Sequence, residues 1–185
     1  MVSTRRFPPS VVNKNGSYPK LLWHASQHER KPGEVILPRT DFWERWGKTT
    51  LLKTIEQYRP EHCRSMADAV FCCADLSTLS HIGFDFSRYL YLVEPLDENG
   101  KSLGDKIDTL PRHDIMWHDP LAGYVRRDAD FSEISKNQAR AYWEGKPYPS
   151  EDNYPLWEYL LPAVKVKGIL KIDKKRLRYK WKSKL

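Results

Sequence analysis

Cysteine is scarce in this sequence. Cys63, Cys72 and Cys73 are the only three, and no C-x-x-C occurs, so neither a disulfide framework nor a thiolate zinc site is expected. No apolar run approaches the roughly 18 residues needed to cross a bilayer, so no membrane partner is expected. The segment MVSTRRFPPSVV carries basic residues with no apolar stretch behind them, and the expectation is a cytoplasmic protein without a secretory signal. Glycine is sparse too, nine residues against thirteen prolines, and neither G-x-G-x-x-G nor G-x-S-x-G is present. Gly47-Lys48-Thr49-Thr50 ends like a phosphate-binding loop, but Phe42 stands where that motif needs its first glycine. Large apolar side chains are what the chain has instead. Seven Trp, ten Tyr and six Phe in 185 residues exclude wholesale disorder and can fill the core of one domain.

The net charge of +7 is unevenly placed. Residues 164–185 hold ten Lys or Arg against one acid, Asp173, a balance of +9 that leaves the rest of the chain at −2. A tail of this kind attracts a polyanion, and Tyr179 and Trp181 offer rings that stack on nucleic-acid bases. The competing reading is a solvated edge strand, because Leu177, Tyr179 and Trp181 alternate with cations at period two. The expected organisation is an irregular lead-in over 1–19, a folded domain over 20–173, and a basic strand or tail over 174–185.

Along the domain, Lys20–His24 reads as a core strand and Lys31-Pro32-Gly33 as a turn. Thr49 or Thr50 caps a helix on which Leu51, Leu52, Ile55 and Tyr58 share a face. Ala69–Cys73 reads as a second strand, with the adjacent cysteines buried on opposite faces. Tyr89–Pro95 is the clearest strand, rich in β formers and stopped by its proline. Asp130 and Glu133 form a capping-box pattern for a helix ending near Gly145, and Trp157–Leu161 and Val164–Ile172 are two final strands. Strands with few helices and no βαβ alternation predict an α+β fold with antiparallel sheets. Two His-Asp pairs, His113-Asp114 and His118-Asp119, have metal-ligating chemistry, but a loop with surface histidines is the reading taken, and no metal is expected.

Three segments carry chemistry in combination: Leu22-Trp23-His24-Ala25-Ser26, Val70-Phe71-Cys72-Cys73-Ala74-Asp75 with Ser77 and Ser80 beyond it, and Tyr154-Pro155-Leu156-Trp157-Glu158-Tyr159-Leu160-Leu161. Glu158 stands out by itself, since an acid inside an apolar strand is costly without a task. The alternative for it is the solvent face of an edge strand. In order and spacing the three segments resemble the H-Y-E signature of the diphtheria-toxin-like ADP-ribosyltransferases, the group that includes the poly-ADP-ribose polymerases. The strand Tyr89–Pro95 resembles a matching strand of the rifamycin-modifying transferases. The resemblance covers roughly residues 20–172.

The resemblance implies a split, mostly antiparallel β-sandwich with peripheral helices, and NAD as substrate. It implies that Glu158 is catalytic, that His24 hydrogen-bonds the adenosine ribose, and that backbone groups at Ala25, with Ser26 beside it, grip the nicotinamide amide. Phe71, or Cys72 if the segment is shifted by one, takes the place of the family's stacking Tyr. Ser77 and Ser80 are candidates for a hydroxyl contact to nicotinamide, or for ordinary helix capping. Ala25 stands where the family has Gly, and Leu156 stands where arginine-modifying members carry a second Glu. An arginine acceptor is therefore not supported, and transfer of a single unit is expected. The acceptor is open among protein, nucleic acid and small molecule. Two other expectations stand beside the mono-ADP-ribosyltransferase: a noncatalytic nucleic-acid-binding domain run by the tail, and an NAD glycohydrolase that uses water.

Overall fold

A computed structural model describes residues 21–46, 50–74, 78, 89–118, 133–149 and 155–170. The lead-in, Thr49, Ser77, Ser80, Asp119, Asp130, Tyr154 and the basic tail lie outside these residues. Seven strands form one sheet: β1 (Leu22–Ser26), β2 (Val35–Ile36), β3 (Val70–Cys73), β4 (Tyr89–Leu96), β5 (His113–Asp114), β6 (Trp157–Leu161) and β7 (Ala163–Leu170). Their order is β2-β7-β4-β1-β3-β6-β5, and every pairing is antiparallel. The α+β, mostly antiparallel expectation holds. Among the elements not expected from sequence are the two-residue strands β2 and β5 and the short helix α1 (Phe42–Trp46). β4 also runs on through Pro95 to Leu96, pairing Pro95 with Val164. Proline carries no N–H for the ladder, but its carbonyl accepts from Leu103 at 3.0 Å, so the strand is not stopped there.

The sheet is joined unevenly. Five residue pairs hold β1 to β4, whereas one pair, Trp23 with Cys73, holds β1 to β3. The halves β2-β7-β4-β1 and β3-β6-β5 thus meet at a narrow junction. Beyond that pair, Ala25 and Ser26 are partnered on the β4 side only, among the described residues.

Side chains alternate about this sheet, with one register shift between Leu92 and Val93 where β4 meets β7. One face gathers Leu22, Val70, Cys72, Tyr91, Val93, Tyr159, Leu161, Val164 and Val166 into a buried cluster, with Ile107 of a 3-10 turn against it. The other face packs Phe71 and Leu160 under α2 (Thr50–Gln57) and α3 (Glu133–Trp143). Cys72 and Cys73 divide between the two faces, both buried. In α2, Ile55 is fully buried and Leu51, Leu52 and Tyr58 pack around it, the helical spacing the sequence showed. In α3, Ala139, Tyr142 and Trp143 form the inward stripe at i, i+3 and i+4. The helix closes where expected: the Lys146 N–H donates to the Ala141 carbonyl and the Gly145 N–H to the Tyr142 carbonyl. Gly145 has φ +65°, and a Cβ there would lie 2.6 Å from the Arg112 carbonyl oxygen, so only glycine closes this turn against the chain entering β5.

Candidate active site

Glu158 sits inside the sheet. β6 has β3 on one side and β5 on the other, and Glu158 pairs with Cys73 and with His113. One rung therefore runs Trp23, Cys73, Glu158, His113 across four strands. The solvent-facing edge position is thereby excluded for this acid: the residue is 5% exposed. Alternation turns its carboxyl toward α3, where the Tyr142 hydroxyl donates to Oε1 at 2.7 Å. His118 Nε2 stands 3.9 Å from the same oxygen. Burial pushes the Glu158 carboxyl up to about 7, with the Tyr142 hydrogen bond pulling against it. The same burial and the adjacent carboxyl hold the Tyr142 hydroxyl well above its usual value, so it is the donor. Such a carboxyl exchanges a proton near neutrality.

Histidines pack round this pair. His113 stacks on the Tyr142 ring at 4.7 Å between centroids, and its Nδ1 bonds the Tyr142 carbonyl at 3.0 Å. A carbonyl only accepts, so Nδ1 carries the proton. Burial holds the His113 pKa below its usual value, keeping the ring neutral. His113 is 1% exposed and Asp114 0%, so the surface-loop expectation for this pair is overturned. Asp114 Oδ1 accepts from the Met116 and Leu156 N–H groups, each at 3.1 Å, and Oδ2 accepts from Tyr148 N–H at 2.8 Å. That carboxylate fixes the start of β6 two residues before Glu158. β5 adds two residue pairs to the four by which β3 holds β6. No group of three or more His, Cys, Asp or Glu fit for a metal occurs among the described residues.

The other predicted residues divide. His24 lies one residue off the rung, so its side chain turns to the face opposite Glu158. There its Nδ1 donates to the Phe71 carbonyl at 2.8 Å, across the narrow junction. Burial lowers its pKa, against the pull of that hydrogen bond, and nearby Arg30 lowers it further. The neutral ring keeps Nε2 as an acceptor. Phe71 shares the Glu158 face but stacks on Phe42 at 5.7 Å, which occupies one side of its ring. Cys72, the alternative stacking position, is fully buried on the His24 face. Ser26 Oγ accepts from the His28 N–H at 3.2 Å, an ordinary turn contact. Ser77 and Ser80 fall outside the described residues. A cleft of about 500 Å³ reaches His113 and Leu160 and is walled by Arg59, His62 and Arg64, without Glu158 in its lining.

Sequence reasoning missed Tyr142 and His118 at this site. Tyr142 fell within the helix expected to end near Gly145, with nothing in the sequence to mark its hydroxyl. His24→Ala leaves the Phe71 carbonyl unpaired at the thinnest part of the sheet, so unfolding stability falls by about 1–3 kcal/mol. Urea denaturation measures this, and a loss under a few tenths of a kcal/mol would deny the brace. Compared with protein-family models, curated proteins and solved structures, the chain matches none of them.

Proposed function

We propose that this protein cleaves NAD at the nicotinamide–ribose bond and transfers one ADP-ribose unit to an acceptor. One observation carries the reading: three segments far apart in sequence, those that resemble the H-Y-E signature, converge on a single rung with a buried carboxyl upon it. The resemblance implies a split β-sandwich; the described strands form one sheet, whose narrow β1–β3 junction is where such a split would fall. It also leaves the β3-side edge of β1 at Ala25 without a strand partner among the described residues, where backbone groups would grip the nicotinamide amide. The chemistry suits the acid. As the C–N bond breaks, its electron pair leaves with nicotinamide and positive charge builds on the ribose. A carboxylate in a water-poor setting stabilises that charge strongly. The acceptor then bonds to the ribose carbon and gives up its proton.

Labelled NAD, incubated with the protein and a whole-cell extract, is the direct test. Nicotinamide release with label in the protein or nucleic-acid fraction is the expected result. Release without a labelled macromolecule assigns a glycohydrolase or a small-molecule acceptor, and no release at all removes the reading. The pH profile gives a second check. Stabilising the ribose cation requires the ionised carboxyl, and Glu158 ionises only as pH rises through about 7. The expected kcat/KM for NAD thus climbs between pH 5 and 8 and levels off above. A rate flat across that range is incompatible with Glu158 as the stabiliser.

A further inference from the structure

Three features of Glu158 bear on how it is held. Its Oε1 is the oxygen engaged by the Tyr142 hydroxyl, and His118 approaches that same atom. Among the described residues, the side-chain hydrogen bond to Glu158 ends on Oε1 and not on Oε2. Tyr142 itself has no freedom: His113 stacks on its ring, His118 lies tilted against it at 5.1 Å, and Trp143 meets it edge-on. Trp143 is in turn tied to α2 by its indole N–H, which donates to the Ile55 carbonyl at 2.6 Å. A rigid helix therefore presents one hydroxyl to one carboxylate oxygen.

We infer that Tyr142 is a positioning residue, its hydroxyl clamping Oε1 of Glu158 so that Oε2 is the oxygen turned to the ribose, an inference that rests on the NAD-cleaving reading above. The hydroxyl stays a donor throughout and takes no proton from the substrate. By bonding the charged form, it also favours ionisation against the cost of burial. The groups facing the carboxyl from each packed element are few. On its own face of the sheet they are Tyr142 from α3, His118 from the turn after β5, His113 from β5 and Cys73 from β3, while Cys72 senses the charge from the opposite face. Glu56 on α2 and Cys63 act on the Tyr142 hydroxyl. Burial holds the Cys72 thiol far above its usual range, and His113 is neutral, so among these the Tyr142 hydrogen bond is what opposes the effect of burial on Glu158.

Tyr142→Phe keeps the ring and removes the hydroxyl. With carboxyl-labelled glutamate, the Glu158 midpoint read by NMR is expected to rise by about half a unit or more. The kcat for nicotinamide release from NAD is expected to fall about tenfold, with KM unchanged within about twofold, the size of one lost hydrogen bond. In the Glu158→Gln background, the same change leaves the residual rate where it was. A folded variant whose midpoint stays put overturns the clamp, whatever its rate. If the midpoint moves while even the parent releases no nicotinamide, the clamp stands and the NAD reading is what fails. Should Tyr142→Phe not fold, the parent labelled at the tyrosine Cζ decides. The Tyr142 signal must titrate together with Glu158, and a signal flat from pH 5 to 9 overturns the inference.

Discussion

Glu158→Gln is expected to make the protein more stable at pH 8 while cutting NAD cleavage by about a hundredfold or more. The stability half follows from proton linkage. In the fold the carboxyl is raised from 4.5 to about 7, so the folded state holds a proton that the unfolded chain has released. Stability from that proton is complete below pH 4.5 and is lost as pH rises through 7. Gln mimics the protonated form, accepts from Tyr142 in the same way, and never ionises. Its advantage over Glu is therefore small at pH 4.5 and about 1–3 kcal/mol at pH 8. The activity half follows because a neutral amide cannot stabilise a ribose cation. Urea titrations at the two pH values, with nicotinamide release on the same samples, measure both halves. Equal stability of parent and variant at pH 8 would contradict the burial argued for the carboxyl. Activity within a few fold of the parent would remove Glu158 from the chemistry.

Asp114→Ala carries the largest expected loss of stability. The substitution deletes an acceptor that satisfies three backbone N–H groups from Met116, Tyr148 and Leu156. All three meet a side chain with no exposure to solvent, so water cannot replace it. Hydrogen bonds to a charged acceptor are each worth about 1.5–3 kcal/mol, and partial relaxation brings the sum to about 3–5 kcal/mol. That is a large share of the 5–15 kcal/mol typical of a domain, and roughly 10 °C in melting temperature for this length. Asp114→Asn separates the contacts: its remaining oxygen keeps the Met116 and Leu156 partners, and its amide faces Tyr148 wrongly. An intermediate loss is expected for Asn, and Ala within 1 kcal/mol of the parent would show that the knot is dispensable.

Much of the sheet was legible because its strands advertise themselves. Tyr89–Leu96 and Trp157–Leu161 are apolar runs of β formers, and Gly145 marks the end of α3 by the one residue that fits its φ. The short elements were not legible. Val35–Ile36 is a strand only because β7 pairs with it, and two residues have no period to read. His113-Asp114 looked like loop because its neighbours are Pro111, Arg112 and Trp117, and only pairing with β6 buries it. The site divides in the same way. Glu158 was conspicuous as a charge in an apolar strand, a local contradiction. Its partner was hidden, since a Tyr in an inward helical stripe looks the same whether its hydroxyl meets a carboxylate or a carbonyl. His24 was legible as a residue with a task, but the register that turns it away from Glu158 depends on the single Trp23–Cys73 pair.

The strand order has a consequence for how the chain is built. β6 lies between β3 and β5, and β7 lies between β4 and β2, although both come last in the chain. Until residues 157–170 leave the ribosome, only β4, β1 and β3 have neighbours to pair with, and β3 offers an open edge. The closing contacts join residues 85–91 positions apart between β3 and β6 and 128–130 apart between β2 and β7, a slow step governed by loop closure. Glu158 arrives on the strand that seals that edge. The acid and the burial that raises its pKa are therefore created in one event, the pairing of β6 with β3.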